Sequence, residues 1–125
     1  MNARSSSLPT RRIALWGLRI LPILTIGLFR LQAATYWIDH GAGQNAANGT
    51  SPLTAWRHCP GDPAATGIPA TTILAAGDTV IFRGGVTYIL AGTSGINLRW
   101  NGQSGLPITY DGNSAGTWGS GPAIL

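Results

Sequence analysis

Carboxylate, imidazole and thiol chemistry in this chain would have to come from Asp39, Asp62, Asp78, Asp111, His40, His58 and Cys59, because it contains no Glu. No two of the aspartates lie within fifteen residues of each other. Calcium takes six to eight oxygens, usually from clustered acids, and the sequence offers no such cluster. His40 and His58 have no acid or cysteine partner at metal-ligand spacing. Cys59 has no second cysteine to pair with, so an intramolecular disulfide is excluded. It adjoins His58, but neighbours on a chain usually point apart, and a buried inert thiol is the simpler reading. No residue is assigned as catalytic or as a metal ligand.

What remains is recognition chemistry. Trp100 and Trp118 sit beside turns and glycines and can stack on a sugar ring. Arg99 alternates outward next to Trp100 and can meet a uronate carboxylate. Arg99, Trp100 and Trp118 are therefore the candidate substrate-binding residues, against the plainer reading of a solvated arginine and packing indoles. Trp37 and Trp56 are expected to pack the beginning of the fold. Gly41-Ala-Gly-Gln-Asn-Ala46 fits the loose G-x-G-x-x-G/A pattern, but Asn48-Gly49 and Pro52 interrupt the helix that a dinucleotide site needs. Asn48-Gly-Thr50 is an N-glycosylation sequon.

These residues are carried on 125 residues, room for one small domain at most. Charged residues make up 10%, hydrophobic residues 44%, and there are 18 Gly and 8 Pro. Low charge with many apolar residues excludes a disordered tail, and the Gly and Pro content speaks against a helical bundle. The net charge of +4 belongs to the N-terminus, where Arg4, Arg11, Arg12, Arg19 and Arg30 lie. From Ala34 onward three Arg face four Asp, a net charge of −1, which removes the nucleic-acid partner that the overall charge suggests.

Residues 1–33 have the order of an export signal. An Arg-bearing stretch to Arg19 precedes the apolar run from Ile20 to Phe29, and Leu31-Gln-Ala-Ala34 supplies a small residue at the cleavage edge. Ten apolar residues are too few for a stable crossing of a ~30 Å hydrocarbon layer. Arg30 keeps an uncleaved anchor open as the alternative, and Thr10-Arg-Arg12 resembles a twin-Arg signal. The expectation is a secreted or cell-envelope protein, with membrane contact only through this segment.

Two regions follow. Over 34–76, Thr35-Tyr-Trp-Ile-Asp39 reads as a first strand. Ser51-Pro52 offers an N-cap and a first helical position, predicting about two turns over 53–59 with Leu53 and Trp56 on one face. Asp62 to Ala76 reads as loop. Over 77–125 the pattern changes to short strands between Gly-rich turns: Thr79–Phe82, Val86–Leu90, the alternating Ile96–Trp100, Pro107–Tyr110, and a last one beginning at Ala123. Irregular turns between short strands suit a solenoid, in which each strand pairs with the next coil.

Three stretches give the chain a family likeness: Thr35-Tyr-Trp-Ile-Asp-His-Gly-Ala-Gly43 with Asn48-Gly-Thr-Ser-Pro52 and Trp56; Ala76-Gly-Asp-Thr-Val-Ile-Phe-Arg-Gly-Gly-Val-Thr-Tyr88; and Gly105-Leu-Pro-Ile-Thr-Tyr-Asp-Gly112. In this order they resemble the N-terminal part of secreted right-handed parallel β-helix proteins of the pectate-lyase-like, pectin-lyase-fold group. The resemblance implies an all-β fold: about one and a half coils of a right-handed parallel β-helix, with a short N-terminal capping helix, after a signal peptide. In the second stretch Gly77 would turn with φ > 0, Asp78 would accept backbone N–H groups, and Val80 and Phe82 would point inward with Ile81 outward. Gly84-Gly85 would let the chain turn a corner.

In that family, lyase or hydrolase chemistry on acidic polysaccharide lies on later coils, where carboxylates bind calcium. No position of this chain matches those residues. The resemblance therefore implies a fragment of a longer protein, with calcium as a cofactor only of that longer parent and none in this chain. A non-catalytic surface or adhesion β-helix, or a small structural envelope protein, remains the alternative. Nothing in the sequence specifies an oligomer.

Overall fold

The alternating pattern Thr35-Tyr-Trp-Ile38 and the run Thr79-Val-Ile-Phe82 are both rich in β-branched and aromatic residues, and both become strands. The computed structural model describes residues 32–90 and 95–125. Its strands are β1 (Thr35–Ile38), β2 (Thr79–Phe82) and β3 (Thr109–Asp111), which form one sheet in the order β1-β2-β3. Both pairings are parallel and without offset: Thr35, Thr79 and Thr109 stand in one row, and Tyr36, Val80 and Tyr110 in the next. Strand order thus equals sequence order. Leu31–Leu125 is a single compact unit. The export signal expected over 1–33 lies outside the described residues except for its last two positions. Among the described residues no helix is long and apolar enough to cross a membrane.

Side-chain alternation divides the sheet. Ile38, Val80 and Phe82 point inward and are fully buried, each contributing roughly 1.5–3 kcal/mol through the apolar area removed from water. With Trp56, Cys59, Leu74 and Tyr88 they make the core. Trp37, Ile81 and the threonine row face outward.

The turns on either side of β2 form at the glycines, Gly77 before the strand and Gly85 after it. Gly77 (φ 91°) and Gly85 (φ 73°) occupy left-handed backbone that only glycine adopts at little cost. Asp78, buried, accepts Ala34 N–H at 2.7 Å and Ala75 N–H at 2.9 Å, so one carboxylate ties the start of β1 to the turn before β2. Beyond the corner a second parallel contact line forms. Gly84 bridges Gly119 and Thr87 bridges Ile124. Tyr88 N–H donates to Ile124 O at 2.8 Å, and Ile124 N–H donates to Val86 O at 3.1 Å. The Tyr88 hydroxyl donates to Ile38 O at 2.6 Å and accepts Arg83 N–H at 2.8 Å, pinning the ends of β1 and β2 together from inside.

Several expectations change. The strands expected at Val86–Leu90 and from Ala123 are not formed; the two segments meet only in an isolated bridge between Thr87 and Ile124. The two-turn capping helix over 53–59 is reduced to one 3-10 turn, Pro52–Thr54, and Leu53 is 97% exposed. The reason is tertiary: Trp56 N–H donates to Trp37 O, and Asp39 N–H donates to Trp56 O, both at 2.8 Å. That pairing uses the backbone groups a helix would need, and it draws Trp56 but not Leu53 into the core. The loop expected over 62–76 contains a one-turn helix, α1 (Gly67–Thr71), with buried Pro69 in its first turn. The alternating segment 96–100 joins no sheet and turns on itself, Arg99 N–H donating to Asn97 O at 3.1 Å. Its one long-range backbone bond is Asn97 N–H to Gly61 O, 2.8 Å.

Candidate functional site

The irregular segment 96–100 nonetheless positions two of the three expected recognition residues. Ile96 and Trp100 pack against the core while Arg99 is exposed. The Arg99 guanidinium carbon lies 5.0 Å from the centre of the Trp100 ring, close enough for a cation–π attraction. Beside them opens a groove of about 390 Å3, walled by Leu98, Trp100, Gln103, Ser104, Ile108 and Tyr110. Gln103 and Leu106 close the turn on its rim with two reciprocal backbone bonds of 3.0 and 2.9 Å. On its other side Arg99 lines a smaller groove of about 260 Å3 with Asp62 and Asn97. The larger groove thus offers an aromatic face, an amide and a hydroxyl, while the Arg99 cation stacks on the back of that wall and lines the smaller groove.

Trp118 is elsewhere. Its ring meets Trp37 edge-on at 5.1 Å on the outer face of the sheet. Its N–H donates to Asn113 Oδ1 at 3.1 Å, and its carbonyl accepts Gly84 N–H at 3.0 Å. Asn113, at φ 68°, also donates its amide to Gly121 O at 2.9 Å; asparagine tolerates this left-handed backbone better than most residues. Trp118 is thus fastened as part of the sheet's outer cover and does not line the groove beside Trp100. Trp37 belongs to this outer face too, while Trp56 is the indole that packs the beginning of the fold.

Two carboxylate contacts were not evident in the sequence. His58 Nδ1 lies 2.9 Å from Asp62 Oδ2, with both side chains largely buried. Asp62 Oδ1 accepts Ala64 N–H at 2.8 Å, so the carboxylate is held in place beside the imidazole. The i, i+4 spacing of His58 and Asp62 is the signal that could have revealed it. The His40 ring stands perpendicular to His58 at 5.2 Å. This dyad could orient a base, yet its neighbouring thiol is no nucleophile. Burial, reinforced by the charge of Asp62, pushes the Cys59 thiol up to about 12. Burial likewise raises Tyr88 to about 12, although backbone hydrogen bonding partly offsets it. No group of three or more His, Cys, Asp or Glu able to hold a metal ion occurs among the described residues.

The second pair joins Arg83 Nη1 to Asp39 Oδ2 at 2.7 Å. Asp39 Oδ1 accepts the N–H groups of Gly41 and Ala42 at 3.0 and 3.1 Å. Burial alone would raise this carboxyl. The Arg83 hydrogen bond, the two backbone donors and the Arg83 charge outweigh it and hold the group below its usual value. Forty-four residues separate the partners, so no local spacing signalled the pair. Set against known proteins, the chain matches no family model and no curated protein sequence.

Proposed function

We propose that this chain forms the opening coils of a right-handed parallel β-helix in an exported protein that binds acidic polysaccharide, with the Arg99–Trp100 groove as its sugar-contacting surface. The observation carrying the fold part of this reading is the second parallel line, Gly84 with Gly119 and Thr87 with Ile124. A crossover that returns only one strand makes an ordinary sheet, whereas coils that pair again after the same corner are stacked turns of a solenoid. Crossovers between parallel strands are right-handed almost without exception. The resemblance to the pectate-lyase-like group supports the same architecture. It assigns any lyase or hydrolase chemistry, and any calcium, to further coils of a longer parent.

The saccharide part rests on the stacked Arg99–Trp100 pair beside Gln103 and Ser104. Its test is titration of the full chain with polygalacturonate, followed by tryptophan fluorescence. Trp100→Ala and Arg99→Gln should each weaken binding about tenfold, equivalent to ~1.4 kcal/mol. Unchanged binding in both variants, or none in the parent chain, removes the saccharide reading.

A second reading has its own observation. Tyr110 on β3 and Ile108 just before it floor the groove, at the edge of the described sheet. A further coil would cover them, which favours a purely structural or adhesive β-helix. In that case polygalacturonate leaves the fluorescence unchanged.

A further inference from the structure

The Asp39–Arg83 pair stands where two grooves meet. One, of about 340 Å3, runs past Gln44 and Thr54, and the other, of about 370 Å3, runs past Gly84, Gly119 and Ser120; both include Asp39, Ala42 and Arg83 in their walls. Ion pairing accounts for the contact between the two side chains. It does not account for what the arrangement leaves over. The Asp39 carboxylate is used up: two backbone donors take Oδ1 and Arg83 takes Oδ2. The Arg83 side chain is 43% exposed, and among the described residues its guanidinium donates only through Nη1. A guanidinium carries five N–H donors in a rigid planar fork, so most of the fork remains available at the junction.

A fork held by a buried carboxylate loses little further freedom on binding, which lowers the entropic cost of association. Its planar donors match the two oxygens of a carboxylate. Because Asp39 balances its charge, recognition here depends on the directed bonds rather than on long-range attraction. Gly84 and Gly119, which pack closely on each other's backbone, form one wall, and the Gln44 amide and Ser120 hydroxyl can meet neighbouring hydroxyl groups.

We propose that Arg83 anchors a second binding site, separate from the Arg99–Trp100 groove, that takes the carboxylate of a hydroxyl-rich ligand such as a uronate saccharide, with Asp39 as its positioning residue. The ligand class follows the acidic-saccharide reading above; the site does not depend on it.

The test uses amide resonances of the full isotope-labelled chain, titrated with trigalacturonate and with its methyl ester. Saturable shifts at Gly84, Gly85 and Gly119 with the acid, at least tenfold weaker with the ester, are the expected result. Arg83→Gln should abolish them. Arg83→Lys keeps the charge opposite Asp39 but not the fork, and should weaken binding about tenfold while the spectrum stays dispersed. Shifts confined to Gly102 and Gln103 overturn the Arg83 site and leave the Trp100 groove standing. Shifts confined to the Arg83 side support this site and overturn the Trp100 groove. Equal affinity for acid and ester, equal affinity in Arg83→Lys, or no saturable shift at Gly84, Gly85 and Gly119 overturns the proposal.

Discussion

The two edges of the sheet are finished differently. Along β1 the outward-facing backbone groups are taken by the chain itself: Trp37 N–H donates to Gly49 O and Trp56 N–H donates to Trp37 O, each at 2.8 Å. Over that edge the Trp56 ring stacks on Tyr36 at 4.9 Å, and its Nε1–H donates to Ala47 O at 2.7 Å. Gly49, at φ 70°, passes directly beneath the indole, where any Cβ would run into the ring. Along β3, Thr109 N–H points back to Asp78 O at 2.9 Å. By the alternation of a parallel ladder, the N–H and C=O of Tyr110 then point away from β2, on the side where no described strand follows. Nearby Leu98, Leu106, Ile124 and Leu125 are 50–66% exposed. The same strand geometry thus gives a sealed edge where a loop folds back over it and a pairing surface where none does.

This asymmetry can be broken most severely at the sealed edge. Trp56→Ala should cost about 3–5 kcal/mol in a urea titration, the usual range for emptying a buried Trp site. A loss below about 1 kcal/mol would mean that the indole does not seal the edge. Asp78→Ala removes the carboxylate that joins β1 to the turn before β2. It should cost about 2–3 kcal/mol, since charged hydrogen bonds are lost and backbone donors are left without a partner. At the open edge the effects should be small. Tyr110→Phe deletes the hydroxyl that donates to Pro60 O at 2.9 Å and should cost about 1 kcal/mol. Leu125→Ser should stay within about 0.5 kcal/mol, as exposed positions do. A large loss there would show that the edge is covered in solution. Amide exchange gives the comparison directly: Trp37 N–H should exchange far more slowly than Tyr110 N–H.

Acid sharpens it further. The Asp39 carboxyl is held below its ordinary value of 3.8, so its contribution to stability is full above that value and is lost as pH falls through the folded one. The urea midpoint should drop at the acid end, and Asp39→Asn should flatten that part of the profile. An unchanged profile would show that Arg83 does not stabilise the ionised form.

The difference between the edges also marks what the sequence made legible. Thr79–Phe82 was placed to the residue, with Val80 and Phe82 inward, because strand alternation and Gly77-Asp78 are local signals. The start of β1 was equally clear. The cover over β1 was not, because helix propensity at Ser51-Pro52 competes with the pairing of Trp56 and Trp37, which no nearby residue encodes. Segment 96–100 failed in the opposite way: Ile96 and Trp100 pack partly against the core, but Leu98 between them is exposed and no described strand lies beside it. Arg99 and Trp100 could be joined from adjacency alone. The i, i+4 spacing of His58 and Asp62 was a local signal left unread, whereas the separate placement of Trp118 and the partner of Arg83 required knowing which distant segments lie side by side.

Because strand order repeats sequence order, each strand pairs with the one made before it. The closure of Ala34 onto Asp78 spans 44 residues, whereas Thr109 returns to Asp78 across a shorter segment, so the second closure costs slightly less entropy than the first. A chain made N-terminus first therefore presents these strands in the order in which they pair.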